Sequence, residues 1–150
     1  MSGYEFMMSL RVRHPGIDPV EITRVLGIEP QHTWKVDDPR RDSAGAALGG
    51  THRESYWMGR LMTKPALAQD LVGVESEILR MLGILRRSFD FLEKLKREGG
   101  SAELHVSLYA REDFHLEFLP EALSLLGRLG LSIVLEVKPT PQVSNGVALN

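Results

Sequence analysis

Five histidines, His14, His32, His52, His105 and His115, are the side chains of this 150-residue sequence best suited to metal binding or to proton transfer near neutral pH. No two stand at the i, i+4 spacing that puts paired ligands on one helix face, and no H-E-x-x-H pattern occurs. Cysteine is absent, which removes thiolate ligands, thiolate nucleophiles and disulfides together and fits a reducing compartment. The glycine-rich Gly45–Gly50 run, "GAALGG", lacks the spacing and the lysine of a phosphate-cradling loop, and no G-x-S-x-G or dinucleotide glycine pattern is present. Glu54, Glu103, Asp113, Glu117 and Glu136 have no spacing that singles out an acid–base pair, and such carboxylates are mostly solvated. The residue types therefore point to no metal and no cofactor.

Two groupings remain. Alternation along the strands described below gathers Arg11, Trp34 or Trp57, Arg53, His105, Ser107, Tyr109 and Glu136 on one sheet face. Arginine hydrogen bonding and aromatic stacking there would grip an anionic or ring-bearing group, or a protein surface. Arg11, Trp34, Arg53, Trp57, His105 and Tyr109 are the candidate binding residues. The rival is a small hydrolase in which His105 or His52 meets Glu54 across neighbouring strands within hydrogen-bond reach.

These residues need a sheet to hold them. From Tyr4 to Arg13 apolar Tyr4, Phe6, Met8, Leu10 and Val12 alternate with Glu5, Met7, Ser9, Arg11 and Arg13, a half-buried strand. "HPGIDP" breaks it. In "DPVEITRVLGIEP", Asp18 caps, Pro19 suits the first helical position, Glu21 resembles a capping-box partner, and Gly27 closes a short helix with Ile22, Val25 and Leu26 on its apolar face. "QHTWKV" reads as a second strand and Thr51–Met62 as a third, antiparallel to it. Asp37 to Gly50 between them reads as a long mobile loop without periodicity.

Val74, Ile78, Leu82, Leu85, Phe89, Leu92 and Leu95 recur at helical spacing across Val74–Arg97, with Gly83 the expected place of a bend or a split into two helices. "SAELHVSLYA" is a fourth strand. Pro120 then opens a helix with the stripe Leu123, Leu126 and Leu129, Gly130 closes it, and "LSIVLEV" is the last strand. The order βαββαβ predicts an α+β fold, an antiparallel ferredoxin-like sheet with helices on one face, plus a C-terminal αβ extension. Residues 1–138 form one domain on this reading, and 139–150, with prolines at Pro139 and Pro141, a disordered tail.

Eighteen basic against twenty acidic residues give a net charge of -2, with no electrostatic footprint for nucleic acid or an anionic membrane. No basic-then-apolar leader opens the sequence, and no apolar run approaches the roughly 18 residues of a membrane span. The expected location is the cytoplasm.

The initial strand, the Ile22-Thr23-x-x-Leu26-Gly27-Ile28-x-Pro30 run, the tryptophan strand, the leucine-rich helical segment and "LPEALSLLGRLGLSIVLEV" together resemble the bacterial family called domain of unknown function 4279, over roughly Tyr4 to Val137. The family pattern has a lysine and glycine soon after the proline, whereas Lys35 here is followed by "VDDPRR". The resemblance implies a small cytoplasmic α+β domain with no established activity, and it transfers no catalytic residue. The expected function is a noncatalytic binding or protein-interaction module, acting on a partner protein or on itself as a homodimer. It would work through its sheet face and the 37–50 loop, an immunity-like block of a toxin protein being one concrete form.

Overall fold

The alternating stretch at the start of the chain forms β1 (Tyr4–His14), the central strand of the main sheet, with Phe6, Met8, Leu10 and Val12 buried against the helices. A computed structural model of the chain describes residues 3–62, 65–68, 73–110 and 112–139. After β1 come α1 (Pro19–Leu26), β2 (Pro30–Trp34), a ribbon of β3 (Pro39–Arg41) and β4 (Ala47–Thr51), β5 (Ser55–Arg60) and the short β6 (Ala66–Leu67). Then follow α2 (Val74–Leu85), α3 (Phe89–Arg97), β7 (Ser101–Ala110), α4 (Pro120–Leu129) and β8 (Leu131–Pro139).

The main sheet runs β2-β5-β1-β7-β8, with β6 a short addition beside β1. Each neighbouring pair among its first four strands is antiparallel, and β8 lies parallel to β7. This is the split βαβ, ferredoxin-like order, extended at the β7 edge by the α4 crossover that a parallel neighbour requires.

Local chemistry explains α1. Asp18 Oδ1 accepts the Val20 N–H at 3.0 Å, Pro19 occupies the first turn, and Gly27 ends the helix at φ 69°, where a Cβ would be strained. Glu21 does not complete a capping box; its carboxylate lies 3.9 Å from Arg24 and 4.0 Å from Lys94. Ile22 is fully buried, and docking this face on the sheet is what keeps an eight-residue helix folded.

Three expectations are corrected. The long helical segment is split, but not at Gly83, which α2 runs through unbroken. It breaks at a 3₁₀ turn, Arg86–Ser88, whose three residues per turn shift the stripe, so that Phe89 is 37% exposed while Leu92 and Leu95 turn in. On α4 the buried stripe is Ala122, Leu126 and Leu129, and Leu123 is 53% exposed.

The expected loop of Asp37 to Gly50 is instead the β3–β4 ribbon, an arm whose residues are all exposed. Asp42 Oδ1 accepts the N–H groups of Ala44 and Ala46, both at 2.9 Å, and Arg41 Nη1 donates to Gly45 O at 3.1 Å, which pins the tip. At the base the Asp37 N–H donates to His52 O and the His52 N–H to Asp38 O, both at 2.9 Å. Of the expected tail, Pro139 closes β8, and residues 140–150 lie outside the described residues.

Candidate functional site

Strand register decides which side chains share the face away from the helices. Buried Leu10 and Val12 pair with Gly59 and Trp57, so their neighbours Arg11 and Arg13 share the open face with Met58 and Tyr56. Trp34 joins that face opposite Tyr56, and Ser9 pairs with His105 there. On β8, Val134 is the direct neighbour of His105, and Glu136 of Ser107.

Two patches result. The first is a column of planar groups at the base of the arm. Trp34 stacks between His52, centroids 4.1 Å apart and planes 12° off parallel, and Tyr56, at 4.4 Å and 24°. Arg13 Cζ lies 4.9 Å from the Tyr56 ring centroid on the next strand, and its Nη1 donates to Glu54 Oε1 at 3.2 Å. Adjacent strands bring opposed Cβ atoms to about 5 Å, which is stacking distance for rings standing off the sheet. Each stacked aromatic pair contributes about 0.5–1.5 kcal/mol beyond its buried area, so the column also ties the arm to the sheet.

The second patch centres on His105, only 6% exposed although it stands on the open face. Its Nε2 lies 3.0 Å from Glu136 Oε2, whose other oxygen lies 3.3 Å from Lys138 Nζ. Burial pushes the His105 pKa below its ordinary value, the nearby Arg11 charge adds to this, and Glu136 and Glu103 oppose it. The imidazole is therefore held neutral near pH 7, with Nε2–H donating to the carboxylate. Glu136 is held below the usual carboxylate range, first by its hydrogen bond from Lys138. Among the described residues Arg11 Nε is buried and has no hydrogen-bond partner.

Of the residues singled out in the sequence, Arg11, Trp34, His105 and Tyr109 stand on this face, divided between the two patches. Arg53 lies exposed in the connection between β4 and β5, off the sheet. Trp57 is a correction: it is fully buried on the helix side, and its Nε1–H donates to Thr23 Oγ1 at 2.9 Å. Adjacent Tyr56 and Trp57 must face opposite sides, and the mixed set Tyr56, Met58, Arg60, which carries the charge, against the uncharged set Trp57, Gly59, Leu61 was the available signal. That signal would also have brought Tyr56 into the column, which sequence reasoning missed along with Arg13.

His105 does not meet Glu54: Ser55 pairs with His14 while His105 pairs with Ser9, so His52 and Glu54 lie beyond the far end of the Ser9–His14 stretch of β1, five steps or about 17 Å away along the strand. His14 is structural: Nδ1 accepts the N–H groups of Gly16 and Ile17 at 3.0 and 2.8 Å, and Nε2–H donates to Glu98 at 3.1 Å. Among the described residues no group of three His, Asp or Glu is placed to hold a metal ion, and no helix is long and apolar enough to cross a membrane. A cavity of about 330 Å³ lies between α2 and α4, and one of about 540 Å³ beside Phe114 and the end of β8; His105 lines neither.

No curated protein and no solved structure matches the chain. The family model described as Domain of unknown function (DUF4279) matches residues 4–139, the span from β1 through β8, so this α+β chain belongs to that family.

Proposed function

We propose that the chain is a noncatalytic, cytoplasmic binding module whose open sheet face and β3–β4 arm together receive a protein partner. The observation that carries this reading is the column of His52, Trp34, Tyr56 and Arg13 on a helix-free sheet face, at the root of an arm whose residues are all exposed. Aromatic and arginine side chains at a concentrated, semi-desolvated spot are the composition from which interface hot spots are built. The arm offers a second contact as an ordered ribbon, because its base and tip are both hydrogen-bonded. A binding role also suits the position of His105 outside both cavities, since catalysis needs a substrate held in a concave site beside the acid or base.

The test compares three tagged proteins as baits in a native lysate: the wild type, Trp34→Ala, and the double variant Arg11→Ala/Tyr109→Ala. Each must first give a wild-type circular dichroism spectrum. A protein retained by the wild type and lost by Trp34→Ala supports the column as the contact. Loss only in the double variant moves the contact to the His105 patch, and equal retention by all three refutes the open face as the binding surface.

A further inference from the structure

The two edges of the main sheet are built differently. At one edge β2 has five residues, begins with proline, shifts register between Pro30 and His32, and exposes the polar side chains Gln31, His32 and Thr33. These are the devices by which natural sheets prevent edge pairing. At the other edge β8 has nine residues and pairs with β7 without a register break from Leu131 to Pro139. Its outer side presents a row of backbone donors and acceptors to which no described strand is paired. Its only charges, Glu136 and Lys138, are paired with each other 3.3 Å apart, and Val134, Leu135 and Val137 are 37, 40 and 62% exposed.

We propose that β8 pairs with β8 of a second copy, antiparallel, about a two-fold axis through Leu135 and perpendicular to the sheet. The sequence of the strand is what commits the site to a second copy. Leu135 is the midpoint of β8, so this register pairs all nine residues. On the helix side Leu135 faces Leu135, Ile133 faces Val137 and Leu131 faces Pro139, an apolar seam throughout. On the open side Val134 faces Glu136 and Ser132 faces Lys138, with no like charges directly opposed. Moving the axis to Glu136 would set two carboxylates face to face. The five strands of each copy then run on as one sheet of ten, with both helical layers on the same side. The pairing uses neither the aromatic column nor the arm, so it stands whatever occupies the open face.

Because cysteine is absent, single-cysteine variants of the full chain report the register directly. Directly opposed antiparallel residues have Cα atoms about 4.5–5.5 Å apart, within disulfide reach, so Leu135→Cys should link to itself under mild oxidation. Ile133→Cys alone should not, because the two copies of residue 133 are offset by four residues, about 13 Å. Analytical ultracentrifugation should show a wild-type dimer that Leu135→Lys converts to a monomer with an unchanged circular dichroism spectrum. A wild-type chain that stays monomeric at every concentration overturns the proposal, as does linkage at position 133 equal to that at 135. So does a dimer that survives Leu135→Lys, and one dissolved by Trp34→Ala assigns the self-contact to the open face instead.

Discussion

Gly59→Ala is the substitution whose consequence the structure fixes most tightly. Gly59 needs no unusual backbone conformation, so the effect is purely steric. An alanine Cβ would stand 2.5 Å from Trp57 Cη2, 3.0 Å from Trp57 Cζ2 and 2.9 Å from Ile28 Cγ2. The indole cannot swing aside, because it is fully buried and its nitrogen is tied to Thr23 Oγ1 at 2.9 Å on α1. Overpacking of this kind destabilises by about 1–3 kcal/mol, and the rigidity of the neighbour places Gly59→Ala in the upper half of that range.

Trp57→Phe deletes the two ring carbons that collide. Alone it should cost about 2–3 kcal/mol, from three lost ring atoms and one hydrogen bond. In that background the alanine meets only Ile28, a partly exposed side chain able to yield, and Gly59→Ala should cost no more than about 0.5 kcal/mol. The coupling energy of the cycle is then about 1.5–3 kcal/mol, well outside additive behaviour. Urea denaturation followed by far-ultraviolet circular dichroism measures all four proteins, and equal m-values license the comparison. An equal cost of Gly59→Ala in both backgrounds would refute the packing described for α1 against β5. Because both residues face the helices, partner retention by the open face should be unchanged in Gly59→Ala wherever the protein remains folded.

The pKa of His105 in the folded chain lies below its unfolded value, so the unfolded chain binds the proton more readily and stability should fall as pH drops below about 6.5. His105→Gln should flatten the stability profile in that window, and Arg11→Met should raise the imidazole pKa seen by NMR titration; an unmoved titration would remove Arg11 from the network. At His14 the geometry separates two variants. His14→Ala leaves the buried Ile17 N–H and its neighbour on Gly16 without an acceptor and should lower stability by about 2 kcal/mol, whereas His14→Asn, whose side-chain oxygen accepts at a similar position, should recover about half. Equal melting temperatures for the two would show that Nδ1 is not what organises the turn.

How far the sequence carried depended on whether a segment faces the core. β1 and β7 were legible because burial of one face imposes alternation, and Phe6 to Val12 and Leu104 to Leu108 lie where the pattern puts them. The arm was not legible, because neither face of β3–β4 is buried and nothing selects an apolar alternation in Pro39–Arg41 or Ala47–Thr51. The break was expected at Gly83 and lies at Arg86–Ser88, a position the sequence hides because apolar spacing persists through it. Only the exposure of Phe89 reveals the change of phase. The column was half legible: Trp34 and His52 carried a signal of residue type, but their meeting depends on the pairing of Trp34 with Tyr56, a fact of register.

The αβ extension accounts for what is unusual on the open face. In a four-stranded ferredoxin-like sheet β7 would be an edge strand and His105 a solvated edge residue. Adding β8 places Val134 directly beside His105 and brings Glu136, itself paired with Lys138, to its Nε2, so a neighbour that covers the imidazole and the carboxylate that accepts its hydrogen bond arrive on the same strand. The core supplies the aromatic column through β2, β5 and β1, whereas the His105 patch needs the extension. It follows that substitutions which loosen β8 from β7 should release His105 to titrate near its ordinary value while leaving the Trp34–Tyr56 stack intact, a separation that imidazole NMR and tryptophan fluorescence would read in the same sample.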